Sequence, residues 1–332
     1  MDKKNVLVTG GAGFIGSFLC EALVKAGNHV ICVDELSTGH IRNIENLLRS
    51  PDFQFIKADI VDGLDIESYR ELEPFKIKFL GIQEIYHLAM PTAVKGYERF
   101  CMQALLTNSV GTRNVLELAV KYRAKALLAS SATTYGSQDG KILEESMNGV
   151  FDHLSPRGCF NEGKRFCETM FATYEQVYGI DAKIARIFRT YGPRMPLFHG
   201  HQIPDFALNI LDEKPIHIIG DAQSKTALVY ISDVVDGLLR LMKAPKGIGP
   251  VNFGSDVEIS IPEIARTIMS IIGKNVDISY EPQMPHMIPL GLPSLSKARE
   301  ALGWIPLVRL QDGLQKTVDY IRANKLLLTS GE

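Results

Sequence analysis

The stretch VLVTGGAGFIGSFLCEAL, residues 6–23, constrains this chain more than any other. An aliphatic run reads as a buried strand, and the pattern after the glycines reads as a helix. Between them stand Gly10, Gly13 and Gly16 in a GxxGxxG spacing. Gly10 permits the tight turn, Gly13 lets the backbone approach an anionic group closely, and Gly16 lets helix and strand pack together. The helix then starts at Phe14 and Ile15 with unpaired N–H groups and the positive end of its dipole, a site suited to a pyrophosphate. The second strand, HVICVD, ends at Asp34, 18 residues after Gly16. A carboxylate there accepts hydrogen bonds from both hydroxyls of a ribose and repels a 2′-phosphate, which favours NAD over NADP.

Further short β-branched runs follow at 53–59, 84–89, 125–131 and 182–188, separated by amphipathic stretches that are clearest at 101–122 and 160–178. Strands alternating with helices imply right-handed crossovers and a parallel sheet covered on both faces. Beyond about residue 195 Pro and Gly become frequent, and helical patterns at 204–212, 232–243, 261–273 and 310–323 mix with short strands. The expected fold is therefore α/β. A Rossmann-like doubly wound parallel sheet over 1–195 binds the dinucleotide, segments near 225–255 return to it, and a smaller α/β substrate lobe spans 196–332.

Composition narrows the function classes. The 332 residues carry a net charge of −2, so no general basic field draws in nucleic acid. No apolar run reaches the roughly 18 residues of a membrane span. The glycines interrupt any secretory apolar region, and the expectation is a cytoplasmic protein. Five cysteines (Cys20, Cys32, Cys101, Cys159 and Cys167) are scattered without a CxxC pair and read as reduced thiols. His199 and His201 lack an acidic or Cys partner at ligand spacing, so no metal is expected.

The segments TGGAGFIG, VDELSTG, IYHLA, SSATTYG, FNEGK, RIFRTYGPRM and YISDVVDGL occur in this order. Together they resemble the extended short-chain dehydrogenases and, within them, the NAD-dependent nucleotide-sugar epimerase/dehydratase family, almost to the LGW at 302–304. GCFNEGKR and RIFRTYGPRM are most similar to UDP-glucuronate decarboxylases, and SSATTYG to UDP-galactose 4-epimerases. The resemblance implies that Asp59 and Ile60 flank the adenine, Leu88 and Ala89 line the dinucleotide, and Asn108 supports the nearby loop and helix. It also implies that Lys164 hydrogen-bonds the nicotinamide ribose and Ser131 contacts the sugar hydroxyl that is oxidised. A UDP-sugar is the expected ligand. The partner implied is a second copy of the chain, meeting it through a four-helix interface.

The chemistry so implied begins by oxidising a sugar carbinol, usually at C4, while a base takes its proton. Family members carry a tyrosine for this four residues before the lysine. Here that residue is Phe160, which fills the same space but accepts no proton. Three readings stay open in the sequence: an engineered Tyr-to-Phe replacement, a natural enzyme using Thr133, Cys159 or water on Ser131 instead, and a catalytically silent binder. The leading function is a 4-keto route to epimerisation or decarboxylation, with a net 4-dehydrogenase as another outcome. Thr133 occupies the place of a glutamate, and Gly291 that of an arginine, that help decarboxylases of this family handle a sugar carboxylate. Thr226 matches the usual diphosphate arginine, with Lys225 beside it, and Arg189 replaces an asparagine. Its guanidinium suits a diphosphate or carboxylate. Lys95 and Tyr97, in the loop 91–100, are further candidate sugar contacts.

Overall fold

The computed structural model describes residues 3–93, 96–138, 140–282 and 290–329. Seven parallel strands form its main sheet: β1 (Asn5–Thr9), β2 (His29–Asp34), β3 (Phe53–Lys57), β4 (Glu84–His87), β5 (Lys125–Ser131), β6 (Ala182–Ile187) and β7 (Pro250–Phe253). Their order is β7-β6-β5-β4-β1-β2-β3, a Rossmann-like arrangement. All five residues of β1 are buried, as expected of a strand covered on both faces. Six of the strands are the runs read from the sequence. The seventh comes from much later in the chain and pairs with β6 from Pro250↔Ile184 to Phe253↔Ile187.

The principal helices are α1 (Phe14–Lys25), α2 (Cys101–Leu106), α3 (Thr112–Tyr122), α4 (Gly158–Tyr178), α5 (Gln202–Leu211), α6 (Ile231–Lys243), α7 (Ile261–Ile272) and α8 (Leu310–Thr329). The expected continuous helix over 101–122 is instead interrupted by a π turn at Thr107–Gly111. The side chains of that region stabilise the wider turn. Ser109 donates to the Leu105 carbonyl at 2.6 Å and Thr112 to the Thr107 carbonyl at 3.2 Å. Such turns recur where a helix must present a particular residue, and this one carries the buried Asn108.

Two of the sequence motifs meet each other. Trp304, 1% exposed, donates its indole N–H to the Asp233 carbonyl at 2.8 Å, and the Asp233 carboxylate accepts the N–H groups of Leu307 and Val308. Trp304 also packs edge-on against Phe253 of β7, with ring centres 5.0 Å apart. The YISDVVDGL and LGW segments thus clamp α6 and the seventh strand together. Truncating such a buried Trp to Ala costs about 3–5 kcal/mol.

Candidate nucleotide and sugar cleft

The strand order reverses beside β1, and a cleft opens there at the carboxyl ends of the strands, where doubly wound sheets hold ligands. Its cavity measures about 480 Å³. Six of the seven strand ends contribute to its wall: Gly10 after β1, Asp34 at the end of β2, Ala58, Asp59 and Ile60 after β3, Leu88 and Ala89 after β4, Ser131 at the end of β5, and Arg189 after β6. Phe14, Ile15 and Gly16 at the start of α1 join them, as do Phe160 and Lys164 of α4.

The glycine loop has the local geometry its sequence requires. Gly10 has φ +73°, and a Cβ there would lie 2.6 Å from the Ala89 nitrogen. A Cβ on Gly16 would lie 2.1 Å from the Gly10 carbonyl oxygen, so this residue sets the approach of helix to turn. α1 begins after Gly13 with no side-chain cap, leaving its first N–H groups for an anion. Asp34 accepts the N–H of Ala12 at 2.9 Å and of Leu36 at 2.8 Å. Its carboxylate therefore holds the loop and lines the cleft. Burial raises the Asp34 pKa above its usual value, opposed by those backbone hydrogen bonds. Glu35 and Asp59 also line this end, and burial followed by the nearby Asp59 raises the Glu35 pKa. Three carboxylates at one end of the cleft oppose a 2′-phosphate. The bare glycine backbone, the uncapped helix and the buried carboxylate fit a dinucleotide with free ribose hydroxyls.

At the other end, α4 is fixed to the sheet by Glu168. Its carboxylate accepts Arg186 Nε at 3.0 Å, Arg186 Nη2 at 2.8 Å and the Ser130 hydroxyl at 2.6 Å. One turn earlier Lys164 donates to the Ala129 carbonyl at 2.9 Å, and burial lowers its pKa. Phe160 lies a further four residues back, on the same helical face. Ser131 accepts two hydrogen bonds from Thr133, from its N–H at 3.2 Å and its hydroxyl at 3.1 Å. It thus caps a 3₁₀ turn as well as facing the cleft.

The remaining expected site residues divide. Arg189 lines the cleft, and no described side chain forms an ion pair or hydrogen bond with its guanidinium; burial lowers its pKa. Thr226 lines the cleft with a hydroxyl that has no hydrogen-bond partner among the described residues. Lys225 does not line the cleft. Successive strand residues face opposite sides, and its exposed amine pairs with Glu258 at 3.0 Å. Tyr97 borders a small adjoining cavity with Cys159 and Phe160. Asn108 acts one layer out, donating to the Ala104 carbonyl at 2.8 Å and packing against Gly163. Lys95 lies outside the described residues.

Among the cleft residues not read from the sequence, two carry titratable side chains near Phe160 or the loop at 199–201. Arg157 and His201 both line the wall. Arg157 sits 5.4 Å from the Tyr97 ring centre and 5.7 Å from that of Phe160. A cation just before a helix resembles a solvated residue in sequence, and His201 had been weighed only as a metal ligand. Burial, then His199 and Arg157, push the His201 pKa down to about 4, so the ring is neutral at physiological pH.

No helix among the described residues is long and apolar enough to cross a membrane. The model of the NAD dependent epimerase/dehydratase family matches residues 6–254. UDP-glucuronic acid decarboxylase 1 of Xenopus tropicalis is 36% identical over 321 residues, 97% of this chain and 73% of that protein. Among solved structures, UDP-glucose 4-epimerase of Thermotoga maritima with UDP-glucose has a TM-score of 0.83 at 27% identity, covering 97% of this chain and 99% of that one. UDP-glucuronic acid 4-epimerase from Bacillus cereus, in complex with UDP-glucuronic acid and NAD, gives 0.84 at 29% identity, covering 96% and 99%. The strand-end cleft, its glycine loop and these likenesses agree: the chain belongs to the NAD dependent epimerase/dehydratase family, among the nucleotide-sugar enzymes of the extended short-chain dehydrogenases, and NAD is its cofactor.

Proposed function

We propose that this protein binds NAD and a UDP-sugar in one cleft and is built for C4 oxidation–reduction of the epimerase type, with turnover held down by Phe160. The observation that carries this reading is the presence of Phe160 on the cleft wall beside an otherwise equipped Ser131 and Lys164. Gly10, Gly13 and the start of α1 would take the pyrophosphate, Asp34 the adenosine ribose, and Lys164 the nicotinamide ribose. NAD, when bound, supplies a hydride acceptor. Ser131 orients the sugar carbinol and donates a hydrogen bond to it, because Thr133 already occupies its acceptor side. Lys164 places a cation where it would depress the pKa of a phenol on the preceding turn, but a phenyl ring has no proton to exchange. Arg189 neutralises the diphosphate.

Decarboxylation is the less supported branch. A Cβ on Gly291 would lie 2.0 Å from the Lys141 carbonyl oxygen, so the backbone there leaves no room for the expected arginine. Thr133 spends its hydroxyl on Ser131. A catalytically silent NAD and nucleotide-sugar binder is the second reading, and Phe160 itself favours it. Calorimetry of the NAD-loaded protein with UDP-glucose and UDP-glucuronate tests the shared premise. Saturable binding of either supports it, and binding of neither contradicts it.

The partner we propose is a second copy of this chain. Met102, Leu106 and Val110 recur at helical spacing and are 69%, 43% and 40% exposed. On the adjacent α4, Phe166 and Val177 are 50% and 64% exposed. Two neighbouring helices with uncovered apolar stripes suit a four-helix interface. Light scattering should give twice the chain mass, and Phe166→Glu should lower it to one chain.

A further inference from the structure

Cys101 and Cys159 are 58 residues apart in sequence, yet the Cys159 thiol lies 3.0 Å from the Cys101 sulfur. Cys20, Cys32 and Cys167 are buried, whereas these two are partly exposed. A disulfide needs about 2.05 Å between the sulfurs, so roughly 1 Å of approach would join them. They stand at the starts of two different elements: Cys101 opens α2, directly after the Tyr97–Phe100 turn, and Cys159 lies in the first turn of α4, next to Phe160. The sequence contains no local pair because the contact is made by tertiary packing of α2 on α4.

The surroundings connect this pair to the cleft. Tyr97, Arg157, Cys159 and Phe160 line one small cavity, and Arg157 and Phe160 also line the main one. In the thiol form the turn at Tyr97 is joined to α4 through Arg157, whose guanidinium lies near both aromatic rings.

We propose that Cys101 and Cys159 are a reversible thiol–disulfide site beside the substrate cleft, behind Phe160 and Arg157, oxidised by small-molecule disulfides of the glutathione class. The Cys101 thiolate attacks one sulfur of the small disulfide, forming a mixed disulfide and releasing one thiolate. The Cys159 thiolate then attacks the Cys101 sulfur, closing the internal bond and releasing the second. Two protein thiols and one small disulfide become one protein disulfide and two small thiols, and two electrons pass to the small disulfide. The order follows the hydrogen bond, in which Cys159 donates to Cys101. Burial, then Cys101, push the Cys159 pKa up to about 11. Oxidation therefore quickens as pH rises. Intracellular disulfides are uncommon, and those that form are mostly transient or redox-sensing.

The bond would tie the 97–106 segment to the first turn of α4 and shift Cys159, and with it the adjoining Phe160 in the cleft wall. Sugar affinity should respond, while the dinucleotide end, held by Gly10 and Asp34, should not. That effect rests on the proposed sugar reading of the cleft, but formation of the bond does not.

The test equilibrates the full-length protein in glutathione buffers of graded redox ratio. Non-reducing peptide mapping and intact mass follow the linkage, and calorimetry with UDP-glucose follows the cleft. The expected result is a Cys101–Cys159 peptide with loss of two hydrogens. UDP-glucose affinity should change by about fivefold or more, the low end of ordinary coupling between sites. A dithiol reductant should reverse it, and neither Cys101→Ser nor Cys159→Ser should show it. NAD affinity reports the folding of each variant. Separate glutathione adducts on the two cysteines without an internal bond would overturn the site. An internal bond that leaves UDP-glucose affinity unchanged would overturn its coupling to the cleft. A reduced protein that binds no UDP-sugar would refute the sugar reading, while the peptide map would still decide the disulfide.

Discussion

The Ser131 hydroxyl accepts the N–H and the hydroxyl of Thr133, at 3.2 and 3.1 Å, and so keeps its own proton to donate into the cleft. On the proposed reading, Ser131 would donate to the reacting oxygen and would not replace the base that Phe160 lacks. In a Phe160→Tyr background, Ser131→Ala should lower kcat/KM by on the order of 10²-fold, as for loss of one positioned donor. Thr133→Val removes only one of the two orienting bonds and should cost less than Ser131→Ala. Steady-state kinetics on a UDP-sugar checks both, and a larger loss from Thr133→Val would assign the donor role to Thr133.

Asp34 should set the cofactor preference. The protein should bind NAD more tightly than NADP in calorimetry, because Asp34, Glu35 and Asp59 share one end of the cleft. Asp34→Ala should weaken NAD binding by about 1.5–3 kcal/mol, the range for hydrogen bonds to charged groups. Equal affinity of the unsubstituted protein for the two cofactors would remove that role.

Arg189 has two effects of opposite sign. Its guanidinium lines the cleft without an anionic partner among the described residues, so Arg189→Ala should weaken UDP-sugar binding by about 1.5–3 kcal/mol and leave NAD binding unchanged. The same change relieves a desolvated charge and should raise the melting temperature of the unliganded protein. A lowered melting temperature with unchanged sugar affinity would make Arg189 a structural residue.

Acid should destabilise the protein partly through His87. Its Nδ1 is 2.8 Å from the Thr9 hydroxyl and its Nε2 3.0 Å from that of Thr112, and burial, then Lys164, push its pKa from 6.5 down to about 3. The unfolded chain takes up a proton below about pH 6.5 that the folded one refuses until about pH 3. Stability from this group is thus complete above pH 6.5 and is lost as pH falls through that window, at up to about 1.4 kcal/mol per pH unit. Urea unfolding at several pH values should show this slope in the unsubstituted protein and a shallower one in His87→Gln. Parallel slopes would mean that His87 is protonated in the folded state.

The parts of this protein that were legible in its sequence follow local rules. Strand β1, the turn at Gly10 and the start of α1 could be read because a tight strand-to-helix turn admits few residues. The strand-end carboxylate Asp34 followed from spacing. Strand β7 was not marked as a strand, since its partner β6 lies more than sixty residues earlier and only tertiary pairing reveals it. Lys225 was misplaced by the alternation of a short strand whose inward residue is Thr226. Arg157 was missed, and Cys101 and Cys159 were read as separate thiols, because each takes its meaning from a neighbour on another element. Within α4 the four-residue step from Phe160 to Lys164 needed no structure, and it singles out the residue on which the functional account depends.

The most direct measurement compares product formation by the protein and by its Phe160→Tyr form. NMR would follow UDP-glucose, UDP-glucuronate and their C4 epimers with NAD present. Adding one hydroxyl restores a titratable phenol one turn from Lys164 with little change in volume. Turnover should rise by on the order of 10²–10⁴-fold, with a pH–rate limb below the free phenol value of about 10. Sugar affinity should change much less, since the phenol acts mainly in the transition state. A Phe160 protein that already turns over as fast as its Phe160→Tyr form would contradict the account, as would two forms that both bind sugar and NAD and both stay silent.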